Sequence, residues 1–111
     1  MNWNKLTEAS QIQEIKELSE EKPVMIFKHS TRCSISSMSL DRLLRKWKEV
    51  DSEMVTPYLL DLIAYRNLSD LVAKEFHIAH ESPQVLLIKN GSVIYDDSHF
   101  GISYADLMSK I

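Results

Sequence analysis

A chain of 111 residues is large enough for one domain that buries its own core without disulfides or metals. Its hydrophobic fraction of 44% and charged fraction of 26% exclude a compositionally disordered chain, and no apolar run reaches the ~18 residues that a membrane-spanning helix needs. A net charge of −3 gives no electrostatic ground for binding nucleic acid or an anionic membrane, and two glycines, Gly91 and Gly101, leave no glycine-rich phosphate loop.

The opening residues MNWNKLTEAS lack the charged-then-apolar pattern of a signal peptide, so the expected location is cytoplasmic. Between Thr7 and Glu21, Ile12, Ile15 and Leu18 recur at helical spacing, and Ser10 with Gln13 reads as a capping box. Lys22-Pro23 stops that helix. VMIF, from Val24 to Phe27, is a short continuous apolar run of the kind a strand buried on both faces shows.

A polar stretch follows, and then Leu40, Leu43, Leu44 and Trp47 mark one face of a second helix from about Ser34 to Val50. Arg42, Arg45, Lys46 and Lys48 gather toward its C-terminal end, where they complement the dipole. MVTPYLLDLI returns to an extended apolar pattern with Pro57 near its start. Leu68, Leu71, Val72 and Phe76 give a shorter third helix over 67–76.

SPQVLLIKNGSVIYDDS holds two apolar runs around Asn90-Gly91, a strong hairpin signal because both residues tolerate positive φ. A last helix runs from about Ser103 to Lys110. The expected fold is a single α/β domain over 1–111, in the order α-β-α-β-α-β-β-α. Its mixed central sheet of about four strands is flanked by helices, with the early strands parallel.

The only cysteine, Cys33, falls where the first strand gives way to the second helix. Free backbone N–H groups and the positive end of the helix dipole meet at such a junction, and sites of this kind favour thiolate over thiol. Cys33 lies in HSTRCSISS, which offers a packing cysteine little apolar company, and His29 and Arg32 bring positive charge nearby. Ser36, three residues on, shares the first-turn face. A thiol there would resolve a mixed disulfide on Cys33; a hydroxyl cannot, so resolution needs an external thiol. Alternatively, Ser36 is a first-turn serine that satisfies backbone donors. Pro83 opens the third strand, and base rates favour a trans bond there.

Strand, cysteine at a helix N-terminus, and a later proline before a hairpin resemble the thioredoxin superfamily over nearly the whole chain. KHSTRCSIS followed by HESPQVLLIKNG is closely similar to the monothiol bacilliredoxin family. Thr31, Cys33, Ile35 and Ser36 are in register with that family's motif, while Ser34 replaces its usual proline and removes a fixed first-turn φ. The resemblance implies a cis Pro83 packed beside Cys33, with the Ser82 backbone free to pair with substrate in strand fashion. It also implies reduction of protein–bacillithiol mixed disulfides through Cys33. Bacillithiol or another small thiol then serves as co-substrate, with no bound cofactor, and thiolated proteins are the partners. Thr31, Arg32, Ser34, Ile35 and Ser82 become the expected substrate-binding residues, Arg32 by attracting bacillithiol carboxylates.

Two other functions fit parts of this pattern. A monothiol-glutaredoxin-like iron–sulfur carrier also presents Cys-x-x-Ser, but with glycine and phenylalanine where Ser34 and Ile35 stand. A redox-inert interaction module with a thioredoxin fold would leave Cys33 unreactive. His77 and His80 read as surface histidines at a helix end rather than metal ligands. Asp96 and Asp97 read as a solvated strand end, and Asp61 as a strand-end cap in preference to a group under the active site. Met25, Met38 and Met54 read as core filling, and Trp47 as packing.

Overall fold

The computed structural model describes residues 1–111. Its elements are β1 (Asn4–Lys5), α1 (Ser10–Leu18), β2 (Val24–His29), α2 (Ser34–Lys46), α3 (Asp51–Met54), β3 (Thr56–Asp61), α4 (Arg66–Phe76), β4 (Gln84–Lys89), β5 (Ser92–Ser98) and α5 (Tyr104–Met108). A 3-10 turn, His99–Gly101, links β5 to α5. The sheet order is β1-β3-β2-β4-β5, with β1, β3 and β2 parallel and β4 and β5 antiparallel additions. The sheet thus has five strands. The fifth, β1, pairs Asn4 and Lys5 with Tyr58 and Leu59, and two residues carry no alternation that a sequence pattern could reveal.

β2 is buried along its whole length because it has a helical layer on each side. Val24 and Ile26 join Ile12 and Ile15 of α1 and Leu68, Val72 and Phe76 of α4 in one core cluster. Met25 and Phe27 join Leu43 of α2 and Leu107 of α5 in the other. Strand alternation then sends Lys28 to the α1/α4 side and His29 to the α2 side. At the hairpin, Asn90 and Gly91 have φ of 52° and 77°, the pair of positive values that their sequence suggested.

Several expectations need correction. Ser10 and Gln13 form no capping box: the N-cap is Ala9, without a side-chain cap hydrogen bond, and the Gln11 side chain accepts from the backbone N–H groups of Thr7 and Glu8 in the turn before it. Leu18 is exposed. α2 stops at Lys46 instead of Val50, since Trp47 turns extended and its indole packs edge-on against Tyr104 while donating to Ser52 Oγ. The Tyr104 hydroxyl donates to Asp51 at 2.6 Å, which fixes α3 as a separate turn. Met25 is core, as expected, but Met38 and Met54 are exposed at 61% and 42%.

Candidate functional site

Cys33 is the N-cap residue of α2, half-buried, with extended backbone (φ −107°, ψ 119°) and no side-chain cap hydrogen bond. Its N–H donates to Ser30 O and its carbonyl accepts from Ser37 N, both at 3.1 Å, so the loop from Ser30 to Cys33 closes tightly onto the helix. The N–H groups of Ser34, Ile35 and Ser36 open the helix without carbonyl partners, and no acidic residue occupies its first turn. The sulfur therefore stands at a positive helix end with nothing beside it in that turn to repel an anion.

Thr31, Arg32 and Ser34 are exposed around Cys33, and Ile35 is half-buried. Arg32 makes no ion pair with any carboxylate. Ser36 differs from all of these. It is fully buried, and its Oγ accepts from Ser30 N–H at 3.0 Å and lies 2.6 Å from His29 Nδ1. With Ser30 N–H accepted, the arrangement that satisfies every group has the Ser36 hydroxyl donating to His29 Nδ1, which leaves the His29 proton on Nε2. Ser36 thus ties the last residue of β2, the loop and the first turn of α2 together. Its backbone-satisfying role is present, and its side-chain partner is His29.

The Ser82–Pro83 peptide is cis and Pro83 is buried. The register Lys28↔Gln84 sets Pro83 level with the end of β2, where the Cys33 loop departs. His99 bridges this segment to α2: its N–H donates to Pro83 O at 2.9 Å, and its carbonyl accepts from Ser39 Oγ at 3.0 Å. Arg42 strengthens the same junction by donating to Phe100 O and Ile102 O. Ser82 itself is half-buried and makes no backbone hydrogen bond.

Sequence reasoning gave His29 only a general charge and missed its contact with Ser36. Burial keeps its pKa below the ordinary histidine range, against the pull of Asp61. Asp61 Oδ1 accepts from Ile63 N at 2.9 Å, the cap expected of it, while the register also pairs Asp61 with His29 across β2 and β3. On the other side of the sheet, Lys28 is wholly buried, with Nζ 3.3 Å from His80 Nδ1, and Ser69 Oγ lies 3.0 Å from the same nitrogen. His80 is therefore not a free surface residue as read from sequence, whereas His77 is exposed at the end of α4. Asp96 is solvated, but Asp97 is half-buried and accepts from Ser98 N and the Tyr95 hydroxyl. No helix is long and apolar enough to cross a membrane.

A mixed sheet between two helical layers, with a cysteine at a helix N-terminus, defines a thioredoxin-fold thiol–disulfide protein. A solved candidate oxidoreductase with a thioredoxin fold matches at a TM-score of 0.79 and 31% identity, over 95% of this chain and 89% of its own. Malassezia sympodialis thioredoxin superposes with a TM-score of 0.74 at 16% identity, over 98% of this chain and 87% of its own. Chlamydomonas reinhardtii thioredoxin f2 gives 0.71 at 13%, over 99% and 94% respectively. These last two likenesses are of fold alone. The family model for the monothiol bacilliredoxin BrxC matches residues 4–107, and the chain belongs to that family.

Proposed function

We propose that the protein reduces protein–bacillithiol mixed disulfides by a one-cysteine exchange at Cys33. The Cys33 thiolate attacks the bacillithiol sulfur, forming a Cys33–bacillithiol disulfide and releasing the substrate protein as a thiolate. A second bacillithiol thiolate then attacks that disulfide, frees Cys33 and leaves as bacillithiol disulfide. Two electrons come from the small thiols, and Cys33 ends as it began.

The observation that carries this reading is the contrast between the two ends of Cys-Ser-Ile-Ser. Cys33 is half-buried with its side chain unbonded at the helix end, while Ser36 is fully buried and committed to His29 and Ser30. No group of this chain stands ready to resolve a disulfide on Cys33, so an external thiol must. The unpaired N–H groups of Ser34, Ile35 and Ser36 form the positive end of α2 at the residue that carries the thiol. Arg32, exposed and without an ion-pair partner, attracts the carboxylates of the small thiol, and the open Ser82 backbone pairs with the substrate chain. A cytoplasmic setting, where thiols are kept reduced, suits this chemistry.

Intact-mass spectrometry tests the proposal. Incubation with a bacillithiolated protein is expected to give a single bacillithiol adduct on Cys33, removed by free bacillithiol. An adduct that survives in Cys33→Ala, or no adduct at all, would overturn it.

A further inference from the structure

A cavity of about 320 Å³ opens beside the Cys33 loop, with Lys5, Thr7, His29, Thr31, Asp61 and Tyr65 among its lining residues. It lies at the C-terminal ends of the three parallel strands: Lys5 ends β1, His29 ends β2 and Asp61 ends β3. The chain leaves β2 toward α2 on one face of the sheet and leaves β3 toward α4 on the other. Ligands of open α/β sheets bind in the crevice where neighbouring parallel strands diverge in this way. By contrast, the largest hollow, about 600 Å³ near Lys22, Trp47 and Thr56, lies at the opposite ends of the strands.

The lining has its own chemistry. With the Ser36 hydroxyl donating to Nδ1, His29 keeps a proton on Nε2, which has no partner in the protein. Lys5 is exposed and makes no ion pair, and the Thr31 hydroxyl adds a further donor, while the Thr7 hydroxyl donates to Gln11 Oε1 at 3.4 Å and offers its lone pairs. Asp61 commits Oδ1 to Ile63 N and leaves its second oxygen as an acceptor. Donors for carboxylate and hydroxyl oxygens thus face an acceptor for an ammonium or a hydroxyl, in a space at the small end of small-molecule sites. Thr31, two residues before Cys33, places this space next to the thiol in the chain.

We propose that this cavity is the subsite for the non-sulfur part of the low-molecular-weight thiol. The ligand class is a small thiol that also bears carboxylate, hydroxyl and amino groups. The assignment rests on the exchange reaction proposed above and adds to it where the co-substrate sits.

The test uses ¹⁵N-labelled Cys33→Ser protein, which cannot form a mixed disulfide, titrated with bacillithiol and followed by backbone amide shifts. Saturable shifts at Lys5, Thr7, Thr31, Ala64 and Tyr65 are expected. In the same background, Ala64→Trp, which fills the cavity from an exposed position, is expected to weaken binding at least tenfold. Lys5→Ala is expected to weaken it severalfold, with recovery in Lys5→Arg. Shifts confined to Ser34, Ile35 and Ser82, no saturable shift, or affinity unchanged by both cavity variants would overturn the subsite. Because the sulfur of Cys33 takes no part, such a result leaves the exchange reaction standing. Absence of the Cys33 adduct would instead overturn the exchange, and with it the cavity's role as a co-substrate subsite, while saturable shifts at the cavity would still report small-thiol binding there.

Discussion

Ser36 Oγ and His29 Nδ1 lie 2.6 Å apart in the buried corner where β2 hands the chain to α2. The same oxygen accepts the Ser30 N–H, so one hydroxyl holds strand, loop and helix in register beneath Cys33. Position 36, where a second thiol would have to stand to resolve a disulfide on Cys33, holds a structural clasp.

Removing that hydroxyl should cost stability. Ser36→Ala strands the Ser30 N–H and His29 Nδ1, and leaving such buried groups unpaired costs about 1–3 kcal/mol. Urea unfolding is expected to show a lowered midpoint with an unchanged slope. A midpoint equal to wild type would mean that the clasp contributes nothing.

Restoring a thiol should change the mechanism. Ser36→Cys places a second sulfur on the first turn of α2, on the same face as Cys33. A small-thiol adduct on Cys33 is then expected to disappear without added thiol, leaving an internal disulfide visible by intact mass. In the wild type the same adduct should persist until external thiol is supplied. Persistence in both proteins would show that Cys33 and position 36 do not meet.

Stability should also fall in mild acid. Burial depresses the His29 pKa, with Asp61 opposing, and burial followed by the Lys28 and Arg66 charges depresses that of His80. Below the ordinary histidine value of about 6.5 the unfolded chain binds more protons than the folded one, so stability is full above that pH and is lost as pH falls. His29→Gln is expected to flatten the dependence below about pH 6.5 in part, the remainder belonging to His80. An identical slope in the variant would remove His29 from the account.

Lys28 governs the alkaline side. Burial pushes its pKa from 10.5 down to about 8, against the pull of Asp70. Below about 8 the folded protein carries a buried ammonium at full cost. Between there and 10.5 the unfolded chain binds the extra proton, and stability rises with pH. At roughly 1.4 kcal/mol per unit the relief is of order 3 kcal/mol. Lys28→Met should abolish the rise and match or exceed wild-type stability at neutral pH, since an apolar side chain carries no buried charge. Unfolding free energies at pH 7 and 9 decide this, and a rise that survives in the variant would assign it to another group.

Much of this protein follows from sequence because strong local patterns settled it. The apolar run VMIF specified a strand covered on both faces, Asn90-Gly91 specified its hairpin, and the helices at Ile12, Leu43 and Leu68 showed their spacing. The position of Cys33 before a helix and the downstream Ser-Pro pointed to the thiol site and the fold together. What sequence could not carry was anything set by chains meeting across the sheet. β1 exists because β3 offers it an edge, and α2 ends early because Tyr104, more than fifty residues away, anchors Asp51 beside Trp47. The adjacent Lys28 and His29 look alike as two polar residues in the chain. Alternation of the pleat sends one into a cluster with His80 and the other onto Ser36, and only the packed layers decide what each one meets.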